Sequence, residues 1–210
     1  MFNNHKIVVT MTSWTKRIGN CFGVIQTILD NTLKPDFVYL NLSLEEFPDR
    51  EKSLPVNLVD LQRKNPTFKI NWVPGPNTKS MKKVFPILPY LEDDDIIIDV
   101  DDDLDLPNDL IELRAKEFFE HDCRFPISGG NSPRWHMNKT LFNDVKYNIL
   151  TATSIFQKKM LRGYEDILCK ELLDTYHDDC VYSMLMLSNG YWILPTSYIS
   201  TKAGTTARRI

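Results

Sequence analysis

Ile96-Ile97-Ile98-Asp99-Val100-Asp101-Asp102-Asp103-Leu104-Asp105 is the stretch on which the reading of this chain turns. Three consecutive isoleucines have the composition of a strand buried on both faces. Five carboxylates follow within seven residues. Such crowding is unfavourable unless a cation or solvent screens it. In strand-like geometry Asp101 and Asp103 face the same way. Two like-facing carboxylates with open positions for phosphate oxygens suit Mg²⁺ or Mn²⁺ holding a diphosphate. An isolated acidic run is more often a solvated loop. Here Leu104, Leu106 and Pro107 tie the run to a sheet edge.

Upstream, apolar runs at 7–11, 37–42 and 69–73 read as strands, with helices at 22–29 and 54–64 between them. A further helical stretch at 84–91 is interrupted by Pro86 and Pro89. This βα alternation predicts an α/β protein with a mostly parallel central sheet flanked by helices. Ligands of such sheets bind beyond the carboxyl ends of the strands. Downstream the pattern is less regular: helices are expected at 106–119, 160–173 and 181–187, a loop at 128–131 and a strand at 191–194. A soft boundary near residue 105 divides the chain without a linker.

Lys79-Ser80-Met81-Lys82-Lys83 precedes the acidic strand, and in a helix Lys79 and Lys83 share one face. Cations there would stabilise charge building on a departing diphosphate. By themselves they are an ordinary solvated face. The loop Thr12-Ser13-Trp14-Thr15-Lys16-Arg17 supplies hydroxyls, backbone N–H groups and an arginine at the end of the first strand, which suits a nucleotide. Its plain alternative is a βα turn with a capping hydroxyl. Asp178-Asp179 opens the 181–187 helix, where aspartate is a natural N-cap and also a rigidly held general base.

The bulk numbers exclude several classes. The chain has 210 residues, 42% hydrophobic and 25% charged, with a net charge of −3, which argues against general nucleic-acid binding. Four separated cysteines form neither a zinc motif nor a disulfide framework. No apolar stretch approaches the ~20 residues of a membrane span. A cytoplasmic location, in a bacterial or a host cytosol, is expected, with any membrane attachment peripheral.

Taken together, Thr12-Ser13 with Arg17-Ile18, Lys79-Ser80 with Lys82-Lys83, Asp101-Asp102-Asp103 and Asp178-Asp179 resemble the GT-A glycosyltransferases. The likeness is to the family-2-like small enzymes that build bacterial or viral surface glycans, and it covers nearly the whole chain. It implies a single GT-A catalytic domain over 1–210, with a nucleotide-sugar half at 1–105 and an acceptor half at 106–210, which in some proteins is fused to further domains. By this resemblance Asp103 and Asp101 are the DxD metal ligands for Mn²⁺ or Mg²⁺. Asp101 or Asp102 also contacts the ribose or donor sugar. Thr12, Ser13 and Arg17 line the nucleotide pocket, and Lys79 and Lys83 approach the phosphates or donor sugar. Asp179 is the base, with Asp178 in reserve, because Gly190 follows at the fitting distance. Trp135 and His136 fall where acceptor loops lie. Unlike many members, the chain has no histidine after His177 to complete a metal shell.

The implied activity is transfer of a hexose, with inversion, from a nucleotide-diphosphate sugar such as a UDP-sugar to a glycan or glycoprotein. Two other readings remain: a metal-dependent phosphohydrolase or nucleotidyltransferase, and an inactive sugar-nucleotide-binding module. Against the former stands the lack of a Gly-rich phosphate loop. Against a calcium module stands the lack of the EF-hand Gly and closing Glu.

Overall fold

The computed structural model describes residues 5–130, 134–136, 146–167, 177–200 and 206–208. Its core is a seven-stranded sheet. Strands β1 (Ile7–Thr12), β2 (Phe37–Ser43), β3 (Phe68–Val73) and β4 (Ile96–Val100) run parallel to their neighbours. Beyond β4 lie β8 (Ile155–Gln157), antiparallel to it, then β5 (Ile127–Ser128) and β9 (Leu194–Pro195), giving the order β3-β2-β1-β4-β8-β5-β9. Every residue of β4 is buried, including Asp99. β1 is buried except at Thr12, as expected of a strand covered on both faces.

Helix α1 (Cys21–Asp30) buries Cys21, Val24, Ile25 and Ile28, the spacing of one helical face. Helix α2 (Val56–Lys64) buries Leu58, Val59 and Leu61. It starts after Pro55 rather than at Leu54, because proline is favoured only at a helix's first turn. Helix α3 (Leu110–Glu120) also starts later than expected: Pro107 precedes it, and the Leu110 N–H bonds the Pro107 carbonyl to open the first turn. Helix α4 (Asp178–Ser188) ends at Gly190, whose φ of 83° is the left-handed conformation of a C-terminal cap.

Two helical expectations give way to tighter turns. Residues 79–91 form two 3₁₀ segments, Lys79–Lys83 and Phe85–Tyr90, the second holding Pro86 and Pro89. Lys158–Leu161 and Tyr164–Ile167 are likewise 3₁₀ turns, separated by Gly163 at φ 82°. The rest of the expected 160–173 helix lies outside the described residues. The strand expected at 191–194 is displaced to β9. Two ribbons stand apart from the main sheet: β6 (Arg134–His136) with β7 (Lys146–Asn148), and β10 (Tyr198–Ser200) with β11 (Thr206–Arg208). No helix of the described residues is long and apolar enough to cross a membrane.

Gly129, after β5, passes so close to the neighbouring chain that a Cβ would lie 2.1 Å from the Ala152 carbonyl oxygen and 2.4 Å from the Thr153 carbonyl carbon. Backbone cannot rotate away as a side chain can. Gly129→Ala is expected to cost about 2–3 kcal/mol, seen as a fall in Tm of roughly 5–10 °C by calorimetry. An unchanged Tm would mean that the two segments are not in contact.

Candidate active site

The sheet order places β1 between β2 and β4, so the chain's direction of winding reverses at the β1–β4 crevice. Such a switch point is where open α/β sheets bind ligands. In register, Thr10 lies opposite Asp99 and Met11 opposite Val100, so the loops leaving both strands emerge together. Ser13 Oγ donates to Asp102 Oδ2 at 2.5 Å. Arg17 bridges Asp102 and Asp103, with N···O distances of 2.8 Å to each. The loop after β1 and the acidic run, 89 residues apart at Ser13 and Asp102, thus form one structure.

The expected like-facing Asp101 and Asp103 are not found. The strand ends at Val100 and Asp102-Asp103 form a turn, so side-chain alternation no longer applies. Asp101 Oδ1 meets Lys83 Nζ at 2.6 Å, whereas Asp103 meets Arg17. Asp102 is buried and engaged by Ser13 and Arg17, two residues that line the cleft. Burial pushes its carboxyl above the ordinary value, against the pull of Ser13 and Arg17.

The lysines also divide differently. In a 3₁₀ turn of about three residues per turn, positions i and i+3 eclipse, while i+4 is rotated by about 120°. Lys79 and Lys82 therefore both border the cleft, but only Lys79 is exposed there; Lys82 is as buried as Lys83, which turns toward the carboxylates beyond β4. Lys82 had no assigned part. Its ammonium pairs with Glu46 at 3.2 Å.

That cleft has a volume of about 280 Å³, at the small end of ligand pockets. One wall is Thr12, Ser13, Trp14 and Arg17, and the other is Asn77, Lys79, Ser80 and Lys82, with Glu46 between. Trp14 and Glu46 escaped the sequence reading. The signal for Glu46 was its place three residues past β2, at another strand's carboxyl end. Lys16 sits 5.2 Å from the Trp14 ring centroid.

Asp178 and Asp179 lie in the first turn of α4, next to this centre. The N-cap position belongs to His177, so neither aspartate is the cap. Asp178 Oδ2 pairs with Lys83 Nζ at 2.8 Å, and Asp99 Oδ2 lies 3.9 Å from the same nitrogen. Burial alone would raise Asp178, but the Lys83 charge and hydrogen bonds from Lys83 and Ser80 hold its carboxyl below the ordinary value. Asp179 is pushed up to about 7, first by burial, then by the charges of Asp178 and Asp101, with Lys83 opposing. Two neighbouring carboxyls are thus driven in opposite directions by their surroundings, the pattern of an acid–base pair with divided roles.

The donor set has the chemistry a hard divalent cation requires. Asp103 is half exposed, and Asp101 is 38% exposed with Oδ1 given to Lys83. Both oxygens of buried Asp99, and Asp179 Oδ1, lack a hydrogen-bond donor. No cluster of three His, Cys, Asp or Glu side chains suited to a metal ion occurs among the described residues. Asp101 and Asp103 are each paired with a different cation, Lys83 and Arg17, so this arrangement does not bring them together as a chelating pair. Trp135 and His136 lie in the β6–β7 ribbon, Trp135 opposite Tyr147; their side chains are outside the described structure.

No protein-family profile matches the chain, and no curated protein sequence matches it. Solved structures do. A 4-diphosphocytidyl-2C-methyl-D-erythritol synthase is similar with a TM-score of 0.56 and 11% identity, over 93% of this chain and 89% of that one. S. aureus TarS 1-349 in complex with UDP-GlcNAc is similar with a TM-score of 0.61 and 14% identity, over 91% of this chain and 56% of that one. The 2-C-methyl-D-erythritol 4-phosphate cytidylyltransferase of Francisella tularensis is similar with a TM-score of 0.56 and 10% identity, over 99% and 94%. The chain spans little more than half of TarS 1-349. At these identities the likeness is one of fold, and that fold is the GT-A-like α/β architecture expected from the sequence.

Proposed function

We propose that this chain is a glycosyltransferase that moves a hexose from a nucleotide-diphosphate sugar, with UDP as the carrier, to a glycan or glycoprotein hydroxyl with inversion. The observation that carries this reading is Asp179. Its carboxyl, raised to about 7, sits on a helix start beside the switch-point centre where Ser13, Arg17 and the acidic run meet. A base near neutrality is suited to taking a proton from a sugar hydroxyl. Structures with this fold hold UDP and UDP-GlcNAc, which supports the donor class. The whole chain, 1–210, then serves as one catalytic domain, with 1–105 holding the donor and 106–210 the acceptor. It would work in the cytosol, alone or joined to other domains.

In this mechanism Lys79 faces the diphosphate, Lys82 braces Glu46 and Asn77 in the cleft wall, Trp14 offers a ring face to the base, and Ser13 and Arg17 form the loop against which the nucleotide rests. Asp179 accepts the acceptor hydroxyl proton as the oxygen bonds the anomeric carbon. The bond from that carbon to the diphosphate oxygen breaks, and its electron pair leaves with the nucleoside diphosphate. A single displacement inverts the anomeric centre. A Mg²⁺ or Mn²⁺ ion taken up at half-exposed Asp103 would supply Lewis-acid screening of the leaving diphosphate. Lys79 would add positive charge at the cleft.

The test is calorimetry with UDP and a set of UDP-sugars, followed by product analysis. UDP should bind and stabilise the fold, by about 2.7 kcal/mol at a hundred times its Kd. Excess chelator should weaken that binding about tenfold or more, the equivalent of roughly 1.4 kcal/mol. Binding unchanged by chelator removes the metal from the scheme. Free sugar with UDP supports transfer chemistry, whereas sugar phosphate with UMP points to attack at phosphorus and a nucleotidyltransferase or phosphohydrolase.

A further inference from the structure

We propose that Lys83 is a positioning residue: an internal counter-ion that clamps the helix bearing Asp179 to the acidic loop after β4, without touching the donor. The proposal rests on the transferase reading for the meaning of catalysis, though not for the clamp itself.

The backbone of Lys83 is pinned to the centre of the sheet. Its carbonyl accepts from Thr10 Oγ1 on β1 and from Asn41 Nδ2 on β2, the latter at 3.0 Å. Asn41 also donates to Thr10 Oγ1 at 2.9 Å, closing a buried triangle. From this anchor the ammonium reaches three carboxylates drawn from two distant segments. Asp99 at 3.9 Å lies in β4 and Asp101 at 2.6 Å just beyond its end, and Asp178 at 2.8 Å opens α4. All but Asp101 are buried. Without a cation between them, the end of β4 and the start of α4 present like charges to each other in a poorly solvated space.

Two neutral contacts bring α4 to the same 3₁₀ turn. Tyr182 Oη donates to the Met81 carbonyl at 3.0 Å, and Ser80 hydrogen-bonds Asp178. Tyr182 is fully buried against Phe85, ring centroids 4.9 Å apart. The turn Lys79–Lys83 thereby faces two ways. Lys79, Ser80 and Lys82 line the donor cleft, while Lys83 holds the catalytic helix. Asp179, one residue beyond the clamped Asp178, takes its place relative to the donor from this contact. Buried, and with two of its three N–H donors given to Asp101 and Asp178, the Lys83 ammonium is turned away from the donor cleft.

Lys83→Met is the test, read by three measurements. Hydrogen exchange should speed up in the first turn of α4, residues 178–182, with β1 and β4 unchanged. The Kd for UDP should stay within about twofold. Turnover of the UDP-sugar should fall about 10–100-fold, the usual cost of removing a group that orients a catalytic one, with KM for the donor nearly constant. Added ethylammonium should restore part of the lost turnover in Lys83→Ala, because a free cation can refill the space. UDP affinity falling as far as turnover would make Lys83 a donor ligand and overturn the proposal. Unchanged exchange in 178–182 would overturn it as well. If Lys83→Met does not fold, Asp178→Asn keeps the shape and breaks the ion pair, and α4 exchange decides in the same way. Should the wild type turn over no UDP-sugar, the transferase reading fails, while the exchange measurement still decides the clamp.

Discussion

Asp179→Asn is expected to lower the turnover of sugar transfer by about 10²–10⁴-fold while leaving UDP binding intact. Asparagine keeps the shape of the side chain and loses the ability to accept a proton. The wild-type rate should rise with pH through about 7, where Asp179 ionises, and level off above it. That acidic limb should be missing from whatever activity the variant retains. A variant as active as wild type would dismiss Asp179 as the base. Stability should move the opposite way. The folded protein holds the Asp179 proton up to about 7, whereas the unfolded chain releases it near the ordinary value of 3.8. Below the lower value ionisation takes nothing from folding. Between the two values stability falls as pH rises, because only the unfolded state ionises freely, and above about 7 the loss is complete. Removing the carboxyl should therefore stabilise the protein at pH 8, on the order of 1–3 kcal/mol after allowance for partial solvation. Denaturant melts at pH 5 and pH 8 would show a larger gain at the higher pH. An inactive variant more stable than its parent is the mark of a site held under electrostatic strain for function.

Arg114→Ala is expected to cost about 3–5 kcal/mol, enough to unfold many domains of this size. Arg114, on α3, is 1% exposed. Its guanidinium pairs with Glu117 at 3.4 Å, donates to Thr196 Oγ1 and the Gly129 carbonyl, and reaches Thr153 Oγ1 at 3.3 Å. Glu117 in turn accepts from Thr196 Oγ1 and Ser197 Oγ, each at 2.7 Å, and from the Ser197 N–H. One arginine thus joins α3 to the chain after β5, the loop before β8 and the chain after β9. Truncation leaves Glu117 a buried charge without its partner. Lysine should rescue little, since its point charge cannot span Gly129 and Thr196 together. The double variant Arg114→Met, Glu117→Leu should lose less than Arg114→Ala, because no buried charge is stranded. Chemical denaturation of the three variants tests the order; equal losses would mean the pair's charge is irrelevant.

Residues of strong local character declared themselves in the sequence. The β1 and β4 runs are so rich in β-branched side chains that few other placements than a buried strand would satisfy them. The 3.6-residue spacing of α1 marked its inner face. The acidic run and the Thr12–Arg17 loop were recognisable because strand ends are where an α/β sheet gathers its chemistry. Arg114 was passed over: within α3 it looks like any polar position, and its partners lie up to 82 residues away. Glu46 and Lys82 were missed for the same reason.

Local pattern therefore determined the α/β class, the parallel first half, and the loops on which the candidate site stands, because burial and period are written in neighbouring residues. Tertiary structure alone decided which way each side chain turns. Ending β4 at Val100 separated Asp101 from Asp103, and a 3₁₀ turn in place of an α-helix sent Lys82 to the cleft and Lys83 to α4. Both outcomes depend on where one dihedral changes and on charges brought together from distant segments, and no short window of sequence contains that information.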